Sequence, residues 1–332
     1  MKTRIIFIML LFASLRLGAQ GKSAVGKMDF DGYIQVRAGS NFDDRTGFSL
    51  RRLKLWLKPG PDFSEHWFYK LQCTFSSLAK EKFFLQDVKG GYKRGRFTIE
   101  FGQFVPQYSL QRFQPDYKLP AIERAIAVNA LIPDGTLGVR DLGVQGAYAA
   151  KSGIFETWFG LFNGYGIKEY RFDNQGYMFT HKSAFNIKRS DFRITAGYSL
   201  QYRHAENLQL RYIFPDSVLY SGNDFRYNLF ALFRTKSLWL QAEYLSADFE
   251  GQKAGGYYFL SAFDLGRNQF VASVEAYRDL IAETVTRPVY RMGYNFSFRE
   301  YKLKLFFDNY FQIAENKIDN YYASVQLQMF FK

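Results

Sequence analysis

The sequence predicts an all-β fold, a transmembrane antiparallel β-barrel of about 16 strands with short periplasmic turns and long outer loops. Three observations support it. Apolar and polar side chains alternate with a period of two along nearly the whole chain. The connections between these segments alternate between short and long. After the N-terminal segment, no apolar run reaches the roughly 20 residues that a membrane-spanning helix needs.

The alternation is clearest at the C-terminus, where 319–331 has one fully apolar face and one mostly polar face. In 50–58, leucines alternate with Arg52, Lys54, Trp56 and Lys58. Most such segments are close to the roughly 9–11 residues of a tilted strand that crosses a bilayer. The sixteen predicted strands lie near 28–38, 47–58, 66–76, 82–92, 96–105, 139–150, 153–163, 182–189, 192–203, 225–235, 237–247, 257–265, 268–279, 288–298, 300–311 and 319–331.

The connection lengths give the predicted barrel its orientation. Short junctions such as Arg94-Gly95 and Gly266-Arg267 alternate with longer polar stretches, as expected of a barrel with turns at one end and loops at the other. A soluble β-sandwich gives no reason for this alternation. The long connections are predicted at 39–46, 106–138, 164–181, 204–224, 248–256, 280–287 and 312–318.

The N-terminus predicts export. Lys2 and Arg4 precede the apolar run 5–12, and Leu17-Gly-Ala19 offers small residues for cleavage, so we assign 1–19 as a signal peptide and 20–332 as one barrel domain. An uncleaved anchor is the alternative, which Arg16 disfavours.

Composition excludes several function classes. Loss of 1–19 removes three basic residues, which lowers the formal charge from +13 to +10. An exported basic protein is expected to meet membrane lipid and small anionic solutes rather than nucleic acid. With Cys73 as the single cysteine and three scattered histidines, we predict no disulfide, no metal site and no cofactor.

If the apolar faces meet lipid, the opposite faces line a lumen. A basic wall would concentrate anions there. The alternative is that inward acids such as Glu100, Glu156, Glu243, Glu275 and Asp308 pair with the basic residues and build a packed, nearly neutral wall. The predicted channel-lining basic residues are Arg52, Lys54, Lys70, Arg193, Arg203, Arg226, Arg234, Arg291, Lys302 and Lys304.

The connection 106–138 is too long for a passive link, so we predict that it folds inward and constricts the lumen. It carries three basic residues, Arg112, Lys118 and Arg124, and four prolines that would stiffen it. An ordinary surface loop is the alternative. The aromatic excess predicts girdles at the membrane interfaces, for which Tyr301 and Trp239 are candidates among others, although Trp239 could instead pack inside.

Four stretches resemble the phosphate-selective porin O/P family of outer-membrane porins. They are Phe48-Ser-Leu-Arg-Arg-Leu-Lys-Leu-Trp-Leu-Lys58, Gly102-Gln-Phe-Val-Pro-Gln-Tyr-Ser109, and the pair Ile122-Glu-Arg-Ala-Ile-Ala-Val128 and Gly138-Val-Arg-Asp-Leu-Gly-Val-Gln145. These motifs occupy the first half of the chain. The resemblance implies a sixteen-stranded barrel in the outer membrane, a homotrimer and conduction of anions, with phosphate as a candidate.

The first functional hypothesis is therefore a porin that gives passive, anion-favouring diffusion through a basic channel narrowed by 106–138. The second is a barrel with a closed lumen that acts as a binding or structural outer-membrane protein. The third is a barrel hydrolase using His181 or His204, which the sequence places in or beside long loops without a convincing partner. We predict that the protein is not an enzyme.

Overall fold

A computed structural model describes residues 30–57, 64–77, 82–132, 139–167, 177–281, 288–314 and 317–331. The predicted signal peptide lies outside the described residues. Sixteen strands follow one another along the described chain: β1 Phe30–Ser40, β2 Thr46–Leu57, β3 Trp67–Ser77, β4 Lys82–Arg94, β5 Phe97–Phe104, β6 Asp141–Ala149, β7 Phe155–Phe162, β8 Met178–Lys188, β9 Phe192–Leu208, β10 Tyr220–Thr235, β11 Leu238–Phe249, β12 Gln252–Leu265, β13 Asn268–Arg278, β14 Val289–Arg299, β15 Leu303–Ala314 and β16 Lys317–Phe331.

The strands form one closed antiparallel barrel in which each pairs with its neighbours in the sequence. The barrel closes where β1 pairs with β16, from Gly32 opposite Phe331 to Ser40 opposite Ala323. Closure gives the backbone of both terminal strands hydrogen-bond partners, which lipid cannot supply. The predicted fold class and all sixteen strands are confirmed.

The two faces of the wall differ as the alternation predicts. Along β10, Phe225, Leu229 and Ala231 point outward, while Arg226 and Asn228 between them are fully buried on the lumen side. No helix in the described part of the chain is long and apolar enough to cross a membrane.

Several predicted long loops are shorter than expected, because strands continue beyond the apolar segments. The pairing of β11 with β12 extends to Phe249 opposite Gln252, so the predicted loop 248–256 is a two-residue turn. Glu250 and Gly251 both have positive φ (55° and 97°), as a tight hairpin turn requires. Likewise β9 continues to Leu208 and β8 begins at Met178. The outer face of these strand ends can carry polar residues, because the ends extend beyond the part of the barrel that contacts lipid. Their sequence therefore resembles that of a polar loop.

The connection between β5 and β6 lies inside the barrel. Its described part, 105–132, contains two short 3₁₀ helices, Gln111–Phe113 and Asp116–Lys118, and one helix α1, Ile126–Ala130. We call residues 105–132 the inner loop. An apolar cluster that includes Tyr108, Val128 and Leu131 of this loop packs against Leu245 and Tyr258 on the lumen side of β11 and β12. The core of the protein therefore lies between this loop and one side of the barrel.

Candidate functional site

The inner loop is held against the wall formed by β8 to β16, and we call this region the filled half of the lumen. Glu243 of β11 accepts hydrogen bonds from the amides of Leu110 (2.9 Å) and Gln111 (2.6 Å). Glu275 of β13 accepts one from the amide of Ile126 (2.6 Å), and Arg226 of β10 donates to the carbonyl of Ile132 (2.8 Å). The carboxylates of Glu243 and Glu275 thus give these loop amides the hydrogen-bond partners that water would supply in an exposed loop.

The other side of the lumen contains a cavity of about 1130 Å³, which lies mainly between the inner loop and β1 to β7 and is also lined by residues from 211–212 and 277–281. We call it the open half. Among the described residues, ten basic and five acidic side chains line the cavity, so this part of its wall carries an excess of positive charge. The basic residues are Arg51, Arg52, Lys54, Lys70, Lys82, Lys89, Arg112, Arg124, Arg140 and Arg211, and the acidic ones are Asp87, Glu100, Asp116, Glu123 and Asp279.

Asp116 of the inner loop connects the two halves. Its carboxylate binds Arg52 (2.6 Å) and Lys54 (2.7 Å) on β2 and Arg124 on its own loop. Tyr33 of β1 also donates to it (3.1 Å). One carboxylate therefore holds three cations, which fastens the loop to β2 and leaves the group with a net positive charge.

Glu123 forms a second link from the loop to β1 and β2. Arg51 binds it with two nitrogens, at 2.6 and 2.7 Å, and Arg37 lies 2.8 Å away. Burial alone would raise the pKa of Glu123, but Arg51, Arg37 and Arg52 together outweigh that effect and hold its pKa below the ordinary value. The carboxylate therefore remains ionised at neutral and mildly acidic pH.

Two acids on the strands of the open half, Asp87 and Glu100, also have basic partners. Asp87 of β4 binds Lys70 of β3 and Arg140 (Nε–Oδ1, 2.9 Å), and Glu100 of β5 binds Lys89. Burial, together with Arg112 and Arg52, lowers the pKa of the Arg124 guanidinium, because cations crowd this part of the loop.

The structure separates the predicted basic residues into groups. Those that line the cavity are Arg52, Lys54, Lys70, Arg112 and Arg124. Those buried in the filled half are Arg203, Arg226, Arg291 and Lys304. Arg203 and Arg226 both bind Asp224 (2.7 and 2.8 Å), and Arg291 binds Asp308 (2.5 Å), so these side chains pair within the wall. Of the three arginines, Arg226 also donates to the inner loop, at the carbonyls of Leu131 and Ile132. The packed wall that the sequence left as an alternative describes this half well.

The other predicted basic residues lie near the short-turn end of the barrel. Arg193 lies opposite Arg234 in the register of β9 and β10, and the Arg234 guanidinium lies 4.4 Å from the centre of the Trp239 ring. Lys118 lies over the rings of Tyr117 and Tyr301. Lys302, predicted on the wall, is instead exposed in the turn before β15, because Glu300 with a φ of 47° ends the strand pairing there.

Sequence reasoning missed Arg51, Lys82, Lys89, Arg140 and Arg211. A β-bulge in β2 explains the first of these, since the pairing partners skip from Arg52 to Leu50 and both arginines then face the lumen. Strict alternation allows only one of two adjacent residues to face inward. A second bulge lets Gln86 and Asp87 both face inward and changes the phase of Lys89. In the sequence, the first bulge is indicated by two arginines next to each other in a strand whose outer face is apolar.

Two predicted girdle residues lie elsewhere. Trp239 is buried on the lumen side, and Tyr301 packs against Tyr117 (5.3 Å between ring centres). The two histidines of the hydrolase hypothesis lie in strands β8 and β9, not in loops. His181 Nε2 lies 3.1 Å from Thr157 Oγ1 and 3.2 Å from Ser183 Oγ. These outward-facing groups satisfy one another where lipid offers no hydrogen bonds.

Comparison with protein families decides the relationship of this chain. Residues 27–268 match the family model described as phosphate-selective porin O and P. This chain belongs to that family. Among curated proteins, no sequence matches the chain significantly. The motifs in the first half of the sequence therefore pointed to the correct family.

Solved structures of other porins share the fold. OmpF of Salmonella typhi, in a complex with daunomycin, has a TM-score of 0.66 at 13% identity, over 92% of this chain and 98% of that chain. A trimer form of OmpT from Vibrio cholerae has a TM-score of 0.63 at 11% identity, over 92% and 100%. An anion-selective porin from Comamonas acidovorans has a TM-score of 0.63 at 10% identity, over the same shares. At 10–13% identity, these similarities establish the fold alone.

Family and fold together identify an outer-membrane porin located in the bacterial outer membrane. The family and the fold are typical of a channel rather than of an enzyme. In this porin the inner loop and the wall residues it contacts form the candidate functional site.

Replacement of Glu123 by Gln should loosen the inner loop. The variant loses the charge that holds Arg37 and Arg51, and hydrogen bonds to charged groups contribute about 1.5–3 kcal/mol each. We expect amide hydrogen exchange in peptides from 105–132 to become roughly tenfold faster or more. Glu300→Gln, in an exposed turn, is the matched control and should leave exchange unchanged. Equal exchange in both variants would contradict the anchoring role.

Proposed function

We propose that this porin gives passive, anion-favouring diffusion through the open half of its lumen. The observation that carries the proposal is the charge of the cavity wall, where ten basic side chains face five acidic ones. A wall of one predominant sign raises the local concentration of counter-ions and their rate of entry. The cavity volume of about 1130 Å³ supports an open lumen over a closed one.

The constriction that we propose is formed by the inner loop opposite β2. Asp116 and Glu123 bind cations of β1 and β2 while other loop residues bind β11 and β13, so the loop extends across the lumen. A solute would then pass between the loop and the wall of β2 to β7. Arg52 and Lys54 would meet it beside the loop residues Arg112 and Arg124.

Phosphate is the candidate solute that the family description suggests. Guanidinium groups suit it because their planar donors can bind two oxygens of one phosphate. The excess of cations over carboxylates at Asp116 supports this, since an entering anion would complete the charge balance of Arg52, Lys54 and Arg124. Passage requires that such binding stays weak enough for release.

We also propose that residues 1–19 are removed on export, that 20–332 form the barrel domain, and that three copies assemble in the outer-membrane lipid. A trimer form is known for OmpT of Vibrio cholerae, which shares the fold. Native mass spectrometry of the protein extracted in mild detergent should give three times the mass of the processed chain. A mass of one processed chain would contradict the trimer.

Charge reversal at the cavity wall should reduce the preference for anions. In planar bilayers with a KCl gradient, we expect the parent protein to give reversal potentials that favour chloride. Lys82→Glu replaces a cation of the cavity wall and should lower the chloride-to-potassium permeability ratio roughly twofold or more.

Lys302→Glu makes the same charge change in an exposed turn away from the cavity lining, so it is the matched control and should have a smaller effect. A cation preference in the parent protein, or no channel at all, would contradict the proposed function. Equal effects of the two variants would contradict the assignment of the cavity as the passage.

A further inference from the structure

Several aromatic side chains that line the cavity are only partly buried, among them Phe113 and Tyr117 of the inner loop and Trp158 of β7. Porin interiors are usually polar, so partly exposed aromatic rings beside a row of cations suggest a contact surface for a solute. Trp158 is the fourth of the eight residues of β7, so it lies about midway along that strand. Tyr117 contacts Tyr33, the fourth of the eleven residues of β1.

Two of these rings, Phe113 and Trp158, contact the same buried lysine. The Lys182 ammonium lies 4.7 Å from the centre of the Phe113 ring and 5.6 Å from that of Trp158, and it donates to the carbonyl of Ser109 (2.7 Å). Because Lys182 is buried, little water competes with its contacts to these two rings. Their remaining surfaces are therefore presented to the cavity in fixed orientations.

Tyr117 is supported by buried aromatic rings instead. Its ring stacks on buried Trp56, with 6.0 Å between centres and an angle of 12° between planes, and it tilts against buried Tyr33 at 5.5 Å. A ring that is already ordered loses little conformational entropy when a second ring packs on it. The half-exposed surface of Tyr117 is thus a prepared contact surface.

The cations of the site adjoin these rings. Lys54 Nζ lies 5.9 Å from the centre of the Tyr33 ring and 2.7 Å from the carboxylate of Asp116, the residue before Tyr117. Arg112 directly precedes Phe113 and also lines the cavity. An anion bound by Lys54 or Arg112 would therefore have an aromatic surface within reach of any ring that it carries.

We propose that the open half binds organic anions that carry an aromatic ring, with the acid group on Lys54, Arg52 and Arg112 and the ring against Phe113, Tyr117 or Trp158. This inference rests on the proposed anion passage and names the class of solute that the passage favours. Inorganic phosphate would contact only the basic side chains of this site. An aryl phosphate or aryl carboxylate uses the cations and gains ring contact and apolar burial.

The test compares two phosphate esters of the same charge in planar bilayers at pH 8. Phenyl phosphate carries a ring and methyl phosphate does not. We expect phenyl phosphate to reduce the chloride current of the parent protein at a concentration about fivefold lower than methyl phosphate. Trp158→Leu and Phe113→Leu, which keep apolar bulk without the ring, should each raise the blocking concentration of phenyl phosphate by about threefold to fivefold.

The blocking concentration of methyl phosphate should stay unchanged in both variants. Trp67→Leu, on the exposed outer face, is the matched control and should leave both esters unaffected. Equal block by the two esters in the parent protein overturns the inference without the need for a variant. So does a variant that weakens both esters equally. A chloride-selective channel with equal block would leave the proposed function standing, whereas a cation-selective channel would remove that function as well.

Discussion

The pairing of β1 with β16 is the constraint on which the rest of the structure depends. It leaves every strand with two neighbours, which a sheet in lipid requires because the bilayer core offers no hydrogen bonds. Closure of sixteen strands also encloses a lumen too wide to be filled by wall side chains alone. The inner loop is the consequence, since it occupies one half of that lumen and borders the cavity of the other half.

The charges of the lumen follow from the path of this loop. In the filled half, carboxylates such as Glu243 accept hydrogen bonds from loop amides, and arginines such as Arg226 bind wall carboxylates, so these buried charged groups are paired. At the boundary with the open half, Asp116 and Glu123 are each shared among several cations of the wall and the loop. The unbalanced positive charge is therefore concentrated on the side of the lumen that contains the cavity.

The barrel could be predicted from the sequence because its outer face must be apolar at every second residue of each strand. The alternation ends where a strand extends beyond the lipid. Between β11 and β12, for example, polar residues continue the strand pairing up to the turn at Glu250 and Gly251. Bulges limit the rule in another way, since Arg51 and Arg52 both face the lumen although they are adjacent.

The site was less predictable than the barrel, because inward direction alone does not distinguish a residue that lines a cavity from one covered by the loop. Arg52 and Arg226 have the same phase in their strands, yet one borders the cavity and the other is fully buried beneath the inner loop. That difference depends on contacts between residues far apart in the sequence, such as Glu243 with Gln111. Local periodicity carries no information about them.

Accessibility of single cysteines in the lumen tests the central claim, that one half is open and basic while the other is filled. With Cys73 replaced by Ser, Thr98→Cys places a thiol on the cavity wall and Ser199→Cys places one under the inner loop. A methanethiosulfonate reagent with a sulfonate group should reduce the current through the Thr98 variant, and faster than its trimethylammonium counterpart. The Ser199 variant should not respond. Rapid reaction at Ser199→Cys, or faster reaction of the cationic reagent at Thr98→Cys, would contradict the account.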